Sequence, residues 1–189
     1  MALPKIKIPK MDVKKYLLGL GFSSAVILSA TQLTAPSEGF VDTPYFDPVN
    51  IKTVCFGQTE NSYLKTKIEN KHYSEEECVL MLAQELTEVE EQITPLIKVP
   101  INDYQKAAFI DFSFNTGVPA FKNSTMLGLL NAGNTRASCE QLMKWIFAGN
   151  CKQGTKDCVQ TSSGSWKLKF SGLVKRRELE MKYCLGEIK

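Results

Sequence analysis

The sequence predicts an α+β fold, mostly helical, in which a small β-hairpin lobe meets a helical lobe. Three observations predict it. A stretch from Ser74 repeats apolar residues at helical spacing. A second stretch, Asn102 to Asn115, also reads as a helix. Between Asp47 and Thr59, Pro48 and Asn50 punctuate a β-branched run, which reads as short paired strands. With 189 residues, 43% hydrophobic and 23% charged, the chain has enough material for one domain with a real core, and wholesale disorder is excluded.

Residues 1–15 form a basic arm. Lys5, Lys7, Lys10, Lys14 and Lys15 stand against Asp12, more than the whole net charge of +3. The basic balance therefore belongs to the arm and not to a broad binding face, and no nucleic-acid partner is expected. From Tyr16 to Pro36 no side chain is charged. A helix of that length reaches across a hydrocarbon core of roughly 30 Å, and the lysines before it point to export of the chain beyond Pro36. The run is rich in Gly, Ser, Thr and Ala, and carries Gln32 near its end, so it is weakly apolar. A permanent anchor, a cleaved signal peptide with small residues at Ser23, Ser24 and Ala25, a helix simply buried in the folded protein, and a retained span that later leaves the bilayer all remain open. The weak hydrophobicity favours the last. The division expected is residues 1–36 as arm plus signal-anchor segment and 37–189 as the folded domain.

Ser37 to Thr59 carries the chemistry. Glu38 and Asp47 lie nine residues apart, and Thr53 comes six residues later. Glycoside hydrolysis needs one carboxyl group held protonated to release the sugar oxygen, and a second carboxylate to activate water or stabilise an oxocarbenium-like state. A Glu beside an apolar element and an Asp in a polar turn fit that division. The spacing, the threonine and the aromatic context together resemble the active-site signature of the phage lysozymes, glycoside hydrolase family 24. In that signature E-G is followed by A/P-Y-x-D, a turn, and T-[IV]-x-[YF]-G-H-T. Glu38, Gly39, Pro44, Tyr45, Asp47, Thr53, Val54, Phe56, Gly57 and Thr59 fit it.

The resemblance implies a lysozyme-like fold with a long helix joining the two lobes. It implies an endolysin (muramidase) that hydrolyses the β-1,4 bond between N-acetylmuramic acid and N-acetylglucosamine in peptidoglycan with inversion. Glu38 would be the acid, Asp47 the base, and Thr53 would place the water. Tyr45, Gln58, Asn115 and Asn123 are the substrate-binding candidates. The chain departs from the pattern at Gln58, where His is usual, at Asn50, a usual Gly, and at Asp42, where an apolar residue is common. Gln58 keeps hydrogen bonding but cannot titrate; Asn50 tolerates the left-handed backbone a Gly would take. No cofactor is expected. With a single histidine, His72, and no C-x-x-C pair, neither is a metal site.

Further along, Ser74 and Glu77 form a capping-box pattern, and Val79, Leu82, Leu86, Val89 and Ile93 make the apolar stripe of the long helix. The stretch Thr116 to Gly133, with a turn punctuated by Gly117 and Pro119 and with Ser124 or Asn123 capping the next helix, resembles the family's F-N-x-G…A-F-x-x-S-T stretch. Thr135 to Gly149 reads as a helix bearing Trp145, and Asn150 to Trp166 as a polar loop bracketed by Cys151 and Cys158, which are expected to bridge. Cys55, Cys78, Cys139 and Cys184 allow three pairings that sequence cannot rank. One joins two C-terminal helices through Cys139 and Cys184 and the hairpin to the long helix through Cys55 and Cys78. Lys175, Arg176 and Arg177, interleaved with Glu178 and Glu180, read as a solvated helix face.

An apolar segment running directly into the candidate acid resembles the signal-anchor-release endolysins of phages of Gram-negative hosts. That implies a monomer exported to the periplasmic side of the host inner membrane, held there inactive through Tyr16 to Pro36 and released into the periplasm for host-cell lysis. Two alternatives compete with hydrolysis. A lytic transglycosylase needs the acid but no water-activating Asp, and an inactive membrane-anchored protein would only bind peptidoglycan.

Overall fold

The computed structural model describes residues 12–188 apart from positions 48, 49, 64, 66 and 162; Lys5, Lys7 and Lys10 of the basic arm lie outside the described residues. The uncharged N-terminal run folds as short helices. Asp12 accepts from the Lys15 amide at the start of α1 (Val13–Gly19), and Ser23 accepts from the Val26 amide at the start of α2 (Ser24–Leu28). Gly21, at a φ of 84°, makes the break between them. A π-helical turn, Ser29–Thr34, continues α2 into the short α3 (Ala35–Ser37). No helix among the described residues is long and apolar enough to cross a membrane. Leu17, Ala25, Val26, Ile27, Ala30 and Leu33 are buried in the same core as the rest of the chain.

Three antiparallel strands come next: β1 (Val41–Phe46), β2 (Lys52–Cys55) and β3 (Gln58–Thr59), in the order β1-β2-β3. Asn50, in the β1–β2 turn, takes a φ of 63°, the left-handed conformation that Asn accepts in place of Gly. The long helix α4 (Glu75–Ile93) opens with the anticipated capping box. Ser74 Oγ accepts from the Glu77 amide, and Glu77 accepts from the Ser74 amide.

The centre of the molecule is α5 (Asp103–Thr116). Every residue from Ala107 to Ser113 is buried, because the helix is enclosed by α2, α4 and the C-terminal helix α9 (Ser171–Leu185). Covered on all sides over that stretch, the helix has no polar stripe to show there. Around its end lie α6 (Val118–Lys122), α7 (Thr125–Asn131) and α8 (Thr135–Glu140).

Two expectations are corrected beyond α8. The helix does not run on to Gly149: a 3₁₀ turn, Gln141–Lys144, closes it, and Phe147–Asn150 forms β4. Nor is the next segment merely a loop. Cys158–Gln160 (β5) and Trp166–Lys169 (β6) complete a second antiparallel sheet, ordered β4-β6-β5. Ile146 and Phe147 suit a strand, and Gly149, at a φ of 68°, cannot continue a helix. Three disulfides tie the fold: Cys55–Cys78 joins the β2 end to α4, Cys139–Cys184 joins α8 to α9, and Cys151–Cys158 staples the second sheet.

Candidate active site

Glu38 caps the C-terminal end of α3, and its amide donates to the Thr34 carbonyl at 3.0 Å. The backbone turns extended there, so the side chain leaves the helix toward a cleft of about 620 Å³. The wall of this cleft is shared between Glu38, Gly57 of the β2–β3 turn, Tyr63, Glu85 of α4, and Phe114 and Asn115 of α5. Gly57 has a φ of 88°, and a Cβ there would stand 3.7 Å from Glu38 Oε2. The turn therefore passes directly under Glu38, in a conformation that favours glycine.

Asp47 and Thr53 share the other end of the hairpin. Tyr45 pairs with Thr53 across β1 and β2. The Ile51 amide donates to Asp47 Oδ1 at 2.8 Å, and the Ile51 carbonyl accepts both from the Asp47 amide and, at 3.1 Å, from Thr53 Oγ1. One residue's backbone thus fixes the carboxylate and the hydroxyl relative to each other. Among the substrate-binding candidates, Asn115 lines the cleft and Tyr45 is 42% exposed on β1. Gln58 is buried at 1% exposure, its Oε1 accepting from the Phe56 amide at 2.8 Å. Asn123 sits at the end of α6, where its Nδ2 donates to the Pro119 carbonyl. The structure brings Glu38 and Asn115 to one cavity wall and leaves Gln58 beneath the turn.

Sequence reasoning missed the support behind Glu38. Far from being solvated, the inward face of α9 carries Arg176 (7% exposed), Arg177 and Glu180 (both 0%). Positions 176, 177 and 180 fall on one side of a helix, and here that side meets α5. Arg176 donates from Nε and Nη2 to both oxygens of Asp111, at 2.9 and 2.7 Å, and from Nη1 to Glu38 Oε1 at 2.6 Å. Thr34 Oγ1 donates to Asp111 Oδ1 at 2.7 Å. Arg177 Nη2 donates to Asn115 Oδ1 at 2.9 Å and lies 2.9 Å from Glu180 Oε1.

The charges in this cluster set one another's protonation. Burial alone would raise the Asp111 carboxyl, but the Arg176 guanidinium more than reverses this and holds it below its usual value. Burial lowers Arg177, whereas Arg176 ends above its ordinary value because Asp111 and Glu38 outweigh desolvation. Burial, with the Asp111 charge adding to it, drives the Glu180 carboxyl well above its usual range. A signal was available: Asp111 interrupts the apolar run of α5, and a charged residue on a buried helix face demands a cation opposite.

The pattern of the phage lysozyme family matches residues 35–180, from α3 to the Glu180 of this cluster. The chain belongs to the phage lysozyme family. It is 35% identical over 166 residues to a protein named SAR-endolysin from Bacteriophage PS119, an alignment covering 85% of this chain and 87% of that one. It is 35% identical over 178 residues to the SAR-endolysin of Escherichia phage Mu, covering 92% and 91%. In fold it resembles a P22 lysozyme mutant at a TM-score of 0.64 and 27% identity, covering 87% of this chain and 97% of that one. As a phage lysozyme it is a glycoside hydrolase of the muramidase class, with the lysozyme-like α+β fold that the hairpin and long helix predict.

Proposed function

We propose that this phage lysozyme cuts the β-1,4 bond between N-acetylmuramic acid and N-acetylglucosamine with inversion, Glu38 serving as general acid and Asp47 as base. The observation carrying this reading is the fixation of Glu38 at the cleft wall by Arg176, 2.6 Å away, with Gly57 beneath it. A proton donor must be held in one orientation against the leaving oxygen. Asp47 draws the proton from a water that Thr53 helps to place, and the shared Ile51 anchor keeps the two groups in register. Asn115, pinned by Arg177, and the exposed Tyr45 offer contacts to the glycan.

Glu38→Gln removes the acid at nearly constant shape. Clearing of isolated peptidoglycan should fall by at least the ~10²–10⁴-fold attributed to a general acid. Retained clearing overturns the assignment. Reducing-end products support hydrolysis, and anhydro ends support the transglycosylase alternative.

The same reading includes export, with Tyr16 to Pro36 as a temporary membrane span whose departure from the bilayer activates the enzyme. Its supports are the uncharged run behind a lysine arm and the names of the relatives. A further support is that the segment, folded on the domain, carries Thr34 near its end, which binds Asp111 and holds the Glu38 amide. Cell fractionation before and after collapse of the membrane potential tests it. The expected result is movement of full-length protein from membrane to periplasm; protein that stays in the membrane overturns release.

A further inference from the structure

We propose that Glu85 is a positioning residue of this site that works as a neutral acid, donating to Ser62 and, through Gln58, holding the turn that carries Gly57 under Glu38. The inference rests on Glu38 being the acid and adds a third carboxyl group whose charge governs it.

Glu85 projects from the middle of α4 into the floor of the cleft and is 1% exposed. Its Oε1 is in hydrogen-bond contact with Ser62 Oγ. Ser62 Oγ also bonds the Thr59 carbonyl, at 2.6 Å. A hydroxyl has one hydrogen, and a carbonyl can only accept. If Ser62 gives its hydrogen to Thr59, the hydrogen between Ser62 and Glu85 must come from Glu85. The carboxyl group then carries a proton.

The same direction of donation extends through Gln58. Its Oε1 is taken by the Phe56 amide, so its Nε2 must donate elsewhere. Gln58 Nε2 and Glu85 Oε2 are both buried and lack a close partner among the described residues. The Gln58 amide faces the Glu85 carboxyl. A neutral Glu85 leaves Oε2 as a carbonyl oxygen ready to accept from that amide. Phe56, Gln58, Glu85, Ser62 and Thr59 then form one chain of donors and acceptors spanning the β2–β3 turn. Ionised, Glu85 has no hydrogen to give. Ser62 must divide a single hydrogen between Thr59 and a buried charge.

Burial pushes the Glu85 carboxyl up to about 7, with Ser62 and Gln58 drawing it back part of the way. The titratable groups sharing its cavity are Glu38 from the end of α3 and Tyr63 and Lys65 from the loop after β3; α5 contributes neutral Asn115 and α4 itself neutral Gln92. Burial likewise raises Tyr63, with a smaller push from Glu85, so the phenol stays neutral beside it.

The test is the pH dependence of kcat and KM on isolated peptidoglycan for the full chain, Glu85→Gln and Gln58→Met. The glutamine at 85 reproduces the neutral acid, with an N–H for Ser62 and a carbonyl for Gln58, and cannot ionise. Its kcat near pH 6 should stay within about threefold of the parent, and the alkaline fall in kcat should move up by about one pH unit or more. Gln58→Met breaks the chain and should lower kcat about 10- to 100-fold with KM little changed. In infrared difference spectra between the parent and Glu85→Gln near pH 6, a neutral carboxyl band should belong to Glu85. Superimposable pH profiles, or a band absent at that pH, overturn the proposal. If Glu85→Gln does not fold, an unaltered kcat in Gln58→Met overturns it alone. Activity surviving in Glu38→Gln instead overturns the reading of the acid and leaves the Glu85 band where it is.

Discussion

Arg176 Nη1 sits 2.6 Å from Glu38 Oε1, across 138 residues of sequence, while the other two arms of the same guanidinium hold Asp111. The orientation of Glu38 is therefore written in the C-terminal helix. Only a planar fork with several fixed donors can serve both carboxylates at once. Arg176→Lys keeps the charge but not the fork, and should lower kcat about 10- to 100-fold with a small change in KM. Arg176→Ala leaves Asp111 buried without its cation and should destabilise the fold by about 3–5 kcal/mol. Turnover on peptidoglycan and urea unfolding separate the two effects.

Thr34 gives its hydroxyl hydrogen to Asp111 at 2.7 Å in a fully buried setting. Thr34→Val preserves shape and removes the donor. The cost should be about 1–3 kcal/mol, the range for stripping a partner from a buried polar group. Denaturant midpoints report it, and an unchanged midpoint means the contact contributes nothing to folding.

Stability should fall as pH rises through the mildly acidic range. The Glu85 pKa is raised from 4.5 to about 7. Below the lower value, both the folded and the unfolded chain carry the proton, and the neutral acid's contribution is fully present. Between the two values only the folded chain holds it, so each pH unit removes stability; above about 7 the loss is complete. The total is about 3 kcal/mol. In Glu85→Gln that component of the slope should disappear from unfolding curves collected between about pH 5 and pH 7.

The disulfides should rank by the chain they enclose. Cys139–Cys184 spans 45 residues and Cys151–Cys158 only 7. Loop-closure scaling gives about 4 and about 2 kcal/mol for the two. Paired Cys→Ser variants should lose stability in that order. The variant lacking Cys151–Cys158 should also keep its activity, because the second sheet contributes no residue to the cleft wall around Glu38.

Much of this architecture was legible because it is local. The capping box at Ser74 and Glu77, the stripe from Val79 to Ile93 and the left-handed Asn50 each arise from residues a few positions apart. Glu38, Asp47 and Thr53 stood out through their spacing; the Ile51 backbone ties Asp47 to Thr53, while Glu38 is held separately by Arg176. Arg176, Arg177 and Glu180 were misread because charge on a helix is usually charge in water. Their burial depends on α5, some 65 residues earlier, presenting Asp111 to them. Glu85 was hidden for a similar reason: its role arises only where α4 passes beneath the β2–β3 turn. The strands β4 to β6 are short and polar, and their pairing is written in no periodicity.

The contact between Thr34 and Asp111 bears on which packings of the first helices are allowed. A greasy helix face can slide on another by a turn with little change in buried area. A hydroxyl that meets one particular carboxylate oxygen resists such slippage, since a wrong alignment leaves a buried hydroxyl without its acceptor. The N-terminal segment is thus docked by its oils and indexed by hydrogen bonds, the innermost of them four residues before Glu38.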